Sequence, residues 1–188
     1  MRRVNRRTFF SEATITSLPV PASLFSMLGR QTPDSGTRSK QEDDIREAVL
    51  RKQMLEWSRG GDKNESEAKT KTEREVARYL NFKIFFVSVG KKDPSDDFLK
   101  RFADFPRVVK RRSEAEISKQ ERMPVVDRKT RERGIIFHID SIRWLNDTSV
   151  EVEGGYHCDG LCGAGITFKV GFANGKWVVK SEAMKWIS

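Results

Sequence analysis

Hydrophobic and polar residues alternate over the last third of the chain, and this pattern predicts two β-hairpins. One side of the first alternating run carries Ile135, Phe137 and Ile139. The alternation resumes after Asn146-Asp147 with Val150, Val152 and Tyr156. A period of two on both sides of a turn-forming pair is typical of a hairpin. With Asn146-Asp147 as a two-residue loop, Leu145 would lie opposite Thr148, and the apolar residues of both strands would share one face.

The second hairpin has the stronger turn signal. Its turn is Asn174-Gly175, a dipeptide suited to the positive φ angles of a tight loop. One face of its strands carries Ile166, Phe168, Val170, Phe172, Trp177 and Val179. Polar residues alternate with these, so one face is predicted to be core and the other solvated. The last strand is expected to continue to the end of the chain with Trp186 and Ile187 buried.

Residues 41–89 predict two helices and one buried strand. Apolar residues recur at helical spacing in a segment that starts near Asp43 and ends at Arg59-Gly60-Gly61. The charged residues 62–72 are predicted to form a loop, and residues 73–80 a short helix. The apolar run 83–89 predicts a strand that is buried on both faces in the middle of the sheet.

A further helix is predicted at residues 93–104, with Asp93 as its N-cap and Pro94 at its first position. Residues 108–117 predict a polar strand, and residues 118–133 a basic loop. This order of elements predicts an α+β fold. The sheet would be curved and antiparallel with a C-terminal β-meander, and two or three helices would pack on one face.

The N-terminal segment has the features of a targeting signal. Arg6, Arg7, Phe9 and Phe10 resemble the twin-arginine export signal, in which two arginines precede bulky apolar residues. Residues 1–29 are therefore predicted to be a signal peptide, 30–40 a linker and 41–188 one α+β domain, located in the periplasm or secreted. The alternatives are an organelle transit peptide, rich in Arg and Ser, and a disordered basic tail.

The motifs around residues 163–165 and 174–179, together with Asp93-Pro94-Ser95, resemble a family of small uncharacterised bacterial exported proteins. The resemblance covers roughly residues 40–188 and implies a domain boundary but no reaction. The element order and the final Gly-Lys-Trp hairpin are also similar to the NTF2-like superfamily. That similarity implies a cone-shaped sheet around a pocket.

Composition narrows the classes of partner. The chain has 188 residues, a net charge of +9 and 37% hydrophobic residues, and no apolar run long enough to predict a membrane span. Residues 100–133 contain twelve basic and six acidic residues. Such a segment would attract nucleic acid. The acids are interspersed, however, and stacking aromatic residues are lacking, so a solvated surface is the preferred interpretation.

Cys158 and Cys162 lie on a glycine-rich turn that follows His157. In an oxidising compartment, two cysteines four residues apart would close a small disulfide loop. Free structural thiols are one alternative. Zinc or redox chemistry, with His138 and His157 as further ligands, is the other. The disulfide is favoured, and no metal site or cofactor is predicted.

The polar face of the first hairpin carries the candidate catalytic residues His138, Asp140, Glu153 and His157. The predicted register puts Asp140 opposite Glu153, where two carboxylates would raise each other's pKa beside an imidazole base. Trp144 is expected on the same face. If the face is open to water, these residues are only the polar side of a sheet. The favoured function is therefore a non-enzymatic exported domain that binds a partner or small ligand through its sheet. The alternatives are a pocket enzyme and a basic nucleic-acid-binding protein.

Overall fold

The computed structural model describes residues 35–119 and 122–188, and the four predicted signal residues Arg6, Arg7, Phe9 and Phe10 lie outside these ranges. The described residues form three α-helices, one 3₁₀ turn and eight strands, which confirms the α+β class. The helices are α1 (Ser35–Glu67), α2 (Lys71–Leu80) and α3 (Asp96–Lys100). The strands are β1 (Ile84–Val89), β2 (Val108–Arg111), β3 (Ala115–Ile117), β4 (Val125–Asp127), β5 (Gly134–Asn146), β6 (Ser149–Asp159), β7 (Cys162–Ala173) and β8 (Lys176–Ile187). In the described ranges, no helix is long and apolar enough to cross a membrane.

Six strands form the main sheet in the order β2-β1-β5-β6-β7-β8. The C-terminal meander β5 to β8 is antiparallel, as predicted. Strand β1 is almost wholly buried and lies inside the sheet, also as predicted. It pairs in parallel with both β2 and β5, however, so the curved sheet is mixed. A parallel pair needs a long connection, and the segment between β1 and β5 supplies it.

The two faces of the main sheet are covered differently. Helices α1 and α3 pack on one face and share its core, with Val49, Met54 and Phe102 among the buried residues. The opposite face is covered at β1 and β5 by a second small sheet, formed by β3 and β4. This small sheet replaces part of the single polar strand predicted at residues 108–117 and part of the loop predicted at 118–133.

Helix α1 is longer than predicted at both ends. It begins at Ser35, within the segment interpreted as a linker, and Arg38 of its first turns stacks 3.6 Å from the centre of the Trp144 ring. It also continues through Gly60 and Gly61 to Glu67. The Asn81 side chain binds carboxylates of the last turns of α1, including Glu65 at 2.5 Å. These tertiary contacts outweigh the low helix propensity of two glycines.

Helix α3 starts later than the sequence suggests. Ser95 is its N-cap, and its hydroxyl accepts a hydrogen bond from the backbone N–H of Phe98 at 3.2 Å. Asp93, the predicted cap, instead accepts a hydrogen bond from the backbone N–H of Ser113 at 2.9 Å. Both residues are suitable caps, and the contact with the 3₁₀ turn decides between them.

A β-bulge at Asp140 changes the register of the first hairpin. The partners are Ile139 with Gly154 and Ser141 with Glu153, so Asp140 is the extra residue. Beyond the bulge the alternation is inverted, because one inserted residue exchanges the two faces of a strand. Trp144 therefore packs against the core instead of lying on the polar face, and Leu145 is exposed.

The end of β8 is also more open than predicted. Strand β8 is an edge of the sheet, and Trp186 and Ile187 are 53% and 67% exposed. The prediction that both are buried was wrong. Trp186 instead lies over Gly165, where a Cβ atom would collide with the indole ring.

Candidate functional site

The helix cleft is a cavity of about 320 Å³ between the middle of α1 and strands β6 to β8. It is lined by Gln53, Glu56, Trp57, Gly60, Gly61, Asn64, Leu80, Tyr156, Ile166, Glu182 and Met184. Most of its wall is apolar, because α1 and the sheet turn their hydrophobic faces towards each other. A cavity of this size and composition fits a small molecule with a ring or a short aliphatic chain.

Gln53 is the unusual residue of the helix cleft. Gln53 is only 4% exposed, yet neither the carbonyl oxygen nor the amide nitrogen of its side chain has a hydrogen-bond partner. A buried amide without partners destabilises a fold, because the groups have lost their bonds to water and gained none in return. Both atoms are themselves buried, so a turn of the Gln53 side chain would be needed to present one donor group and one acceptor to a ligand in the cleft.

Aromatic side chains form one wall of the helix cleft. The rings of Trp57 and Tyr156 meet edge to face, with centroids 4.9 Å apart, and Phe82 packs behind Trp57 at 5.7 Å. Burial raises the pKa of Tyr156, so its hydroxyl stays protonated at neutral pH. The aromatic wall gives a ligand a flat surface beside the Gln53 amide.

The rim of the helix cleft carries a charge cluster. The Lys52 ammonium lies 2.7 Å from a Glu56 oxygen and 2.6 Å from a Glu182 oxygen. Burial lowers the pKa of Lys52, but the hydrogen bonds to Glu182 and Glu56 outweigh it and the pKa is raised. The single cation is thus held by two carboxylates, which leaves a negative balance at the rim and disfavours anionic ligands.

Three of the four predicted acid-base residues lie together on the opposite face of the sheet. His138, Asp140 and His157 line a shallow pocket of about 340 Å³, called the histidine pocket, whose other lining residues are Ser88, Lys91, Arg112 and Ile136. His138 Nε2 is 3.5 Å from Asp140 Oδ2. Burial lowers the pKa of both imidazoles, and Asp140 opposes this at His138. Both histidines are therefore mainly neutral at pH 7.

Glu153, the fourth candidate, lies apart from the histidine pocket. Because of the bulge, Ser141 and not Asp140 is its cross-strand partner. Its carboxylate accepts hydrogen bonds from Lys185 Nζ at 2.5 Å and Thr167 Oγ1 at 3.1 Å. The bond from Lys185 lowers the pKa of Glu153, which is the opposite of the expected mutual elevation. The predicted carboxylate pair is not formed.

Cys158 and Cys162 form a disulfide across the tight β6–β7 turn, with Cα atoms 5.2 Å apart. The thiols are thus unavailable for the alternative zinc set, and the described residues contain no cluster of three metal-binding side chains. Asp159, inside the loop, accepts a hydrogen bond from the Tyr79 hydroxyl at 2.8 Å. The disulfide loop is thereby joined to helix α2.

More than half of the twelve basic residues in the stretch 100–133 take part in ion pairs. Seven of its basic residues contact carboxylates, namely Lys100, Arg101, Arg107, Lys110, Arg111, Arg131 and Arg133. A phosphate backbone would have to compete with these carboxylates for each cation. More than half of the cations in the described part of this segment are thus already paired, which weakens the case for nucleic acid.

Sequence reasoning missed the helix cleft, although the chain contains a signal for it. Gln53 occupies a helical position four residues after Val49 and three after Leu50, within the apolar stripe of α1. A polar residue in such a stripe indicates either a buried hydrogen bond or a binding site.

No family model, no curated protein and no solved structure matches this chain.

Proposed function

We propose that this protein is an exported, non-catalytic binding protein that holds a small neutral ligand in the helix cleft. The observation that carries the proposal is the Gln53 amide, which is buried at the cleft without a hydrogen-bond partner. A ligand that supplies a donor and an acceptor there removes a cost that the free protein bears.

The lining of the cleft defines the chemistry of the ligand. Trp57, Tyr156 and Ile166 provide an apolar and partly aromatic wall, so the body of the ligand is a ring or a compact hydrocarbon. An amide, a lactam or a urea matches Gln53, because each offers a carbonyl acceptor and an N–H donor side by side. The two carboxylates at the rim select against a negative charge on the ligand.

Export through the twin-arginine route is part of the proposal. The Cys158–Cys162 disulfide supports it, because such bonds persist in oxidising compartments. Arg6 and Arg7 supply the sequence signal. Intact mass without reductant, measured on protein from its native host, tests both points. Loss of the N-terminal segment and of two hydrogens is expected, whereas a full-length, reduced chain would contradict export.

A titration with 2-naphthamide, a planar ring with one primary amide, tests binding in the helix cleft. The side-chain amide resonances of Gln53 should shift on binding, because they gain hydrogen-bond partners. Gln53→Met removes both polar groups at similar volume and should weaken binding about tenfold, as expected for one to two lost hydrogen bonds. Ile166→Trp fills the cleft and should abolish binding.

Gln41→Met on the same helix is the matched control. Gln41 is partly exposed, so this variant should bind 2-naphthamide as the parent chain does. If 2-naphthamide binds Gln53→Met and Ile166→Trp with unchanged affinity, the ligand site is elsewhere. If the parent chain does not bind it while Gln53→Met does, the amide has no role in recognition.

A further inference from the structure

The histidine pocket brings together cations and imidazoles from four separate segments. Lys91 comes from the turn after β1, Arg112 from the 3₁₀ turn, His138 from β5 and His157 from β6. The turn is fixed to the sheet, because the N–H of Gly90 donates to the Ile139 carbonyl at 2.7 Å. The pocket is therefore built on rigid backbone.

Lys91 and Arg112 differ from the seven ion-paired cations of the basic stretch, to which Arg112 also belongs. Within the described residues, neither Lys91 nor Arg112 takes part in a salt bridge, and Arg112 makes only a long hydrogen bond of 3.4 Å to the Ala115 carbonyl. Asp140 is the one carboxylate that lines the pocket, and it lies beside His138. The local balance is thus positive at neutral pH even with both histidines uncharged.

The residues directly opposite the two histidines in the sheet are glycines. Gly155 is the β6 partner of His138, and Gly163 is the β7 partner of His157. Directly opposed residues in an antiparallel pair lie on the same face of the sheet. The space over Gly163 is filled by the Ser188 hydroxyl, so a small ligand reaches the two rings from the pocket that both of them line.

In the free protein, the pKa values of both histidines are lowered. Burial disfavours the charged imidazoles, and the Arg112 guanidinium further lowers the pKa of His157, whereas Asp159 raises it. Asp140 raises the pKa of His138, whereas His157 lowers it. A bound anion would oppose this effect, because a negative charge favours the protonated form of each imidazole next to it.

We propose that the histidine pocket is a binding site for a small tetrahedral oxyanion, such as sulfate or a phosphate group, whose binding is coupled to proton uptake by His138 and His157. Arg112 and Lys91 supply the permanent charge, and each protonated imidazole adds an N–H donor. The site lies on the face opposite the helix cleft and is independent of the function proposed for it.

The chain contains only two histidines, and both lie in the pocket. Their imidazole Cε1–H resonances therefore report on this site alone in untagged protein. Sulfate is the probe, because it remains a dianion from about pH 5 to pH 8 and any change in proton binding belongs to the protein. Sodium chloride at equal ionic strength controls for screening.

Sulfate should raise the pKa of both histidines, and its Kd should be about tenfold lower near pH 5.5 than near pH 7.5. This change corresponds to a mean net uptake of about half a proton for each sulfate bound. Arg112→Gln and Lys91→Asn should weaken binding about tenfold each. Asn is chosen because Lys91 has a positive φ of 65°, which Asn tolerates. Arg143→Gln removes the same charge at the far end of β5 and should have no effect.

Several results would overturn the proposal. Histidine resonances that respond equally to sulfate and chloride would show screening alone. Equal losses of sulfate affinity in Arg112→Gln and Arg143→Gln would show that only the net charge of the protein matters and that there is no specific site. Sulfate binding that does not depend on pH would show that the histidines take no part in the site. 2-Naphthamide titrations of the same variants keep this test separate from the helix cleft, since they should be unchanged.

Discussion

Replacing Gln53 with methionine should stabilise the free protein while it weakens ligand binding. The side chain is buried, and neither polar end has a hydrogen-bond partner. Methionine is similar in length and flexibility, so it fills the same space against Trp57 without polar groups that need solvation. The substitution therefore removes an unpaired amide and adds apolar contact.

The expected gain follows from the cost of a buried unsatisfied polar group, which is about 1–3 kcal/mol. An increase of about 2 kcal/mol in the free energy of unfolding corresponds to a rise in Tm of roughly 4–8 °C for a chain of this size. Urea unfolding followed by circular dichroism measures the first quantity, and calorimetry the second. Gln41→Met, at a partly exposed position of α1, should change the free energy of unfolding by no more than about 0.5 kcal/mol.

A loss of stability in Gln53→Met would refute this reasoning. A destabilisation of 1 kcal/mol or more would mean that the amide has partners in the free protein, such as ordered water. The helix cleft would then be a hydrated part of the core, and no ligand would be needed to pair the amide. A gain in stability together with unchanged 2-naphthamide binding would separate the two roles and place the ligand elsewhere.

Three further predictions concern the fold and are checked by urea unfolding. Gly60→Ala should stabilise by about 0.5–1 kcal/mol, because a Cβ there meets open space, whereas Gly61→Ala should not, since its Cβ would lie 3.1 Å from Asn81 Cα. Gly154→Ala should destabilise by about 3 kcal/mol or more, because the methyl group would collide with a backbone carbonyl oxygen of β5. Asp127→Asn should cost about 2 kcal/mol at neutral pH, since the buried carboxylate binds a lysine ammonium and two backbone N–H groups. Hydrogen bonding holds the pKa of Asp127 well below its usual value, so this contribution is present above about pH 4 and is lost as the pH falls further.

The elements with strong periodicity were predictable from the sequence. The meander, the buried strand β1 and the short helix α2 all follow from local patterns of residues, and the structure confirms them. The parallel pairing of β1 was not predictable, because strand neighbours depend on contacts distant in the sequence. The same applies to Gly60 and Gly61, where contacts with Asn81 maintain a helix that propensity alone would end.

For the candidate sites too, the sequence predicted which residues share a face, but it did not predict how the strands pair. His138, Asp140 and His157 were predicted to share a face, and the structure brings them to one pocket. Their interpretation as part of a carboxylate pair was wrong, because the register near the turn was derived from Asn146-Asp147 alone. Between the pairs Ile139–Gly154 and Asn146–Ser149, β5 has two more residues than β6, and Asp140 is one of them. The sequence around Asp140 has no glycine or proline that would indicate a bulge at this position.

The bulge at Asp140 connects the two proposed sites. Before it, His138 faces the histidine pocket while Ile139 enters the core. After it, the exchange of faces sends Trp144 into the core layer, where it meets Trp177 at 5.4 Å and supports Arg38 of helix α1. Without the extra residue, Trp144 would point away from α1 and the first turns of the helix would lose this contact. One inserted residue, which itself lines the histidine pocket, thus helps to hold on the other face the helix that carries Gln53.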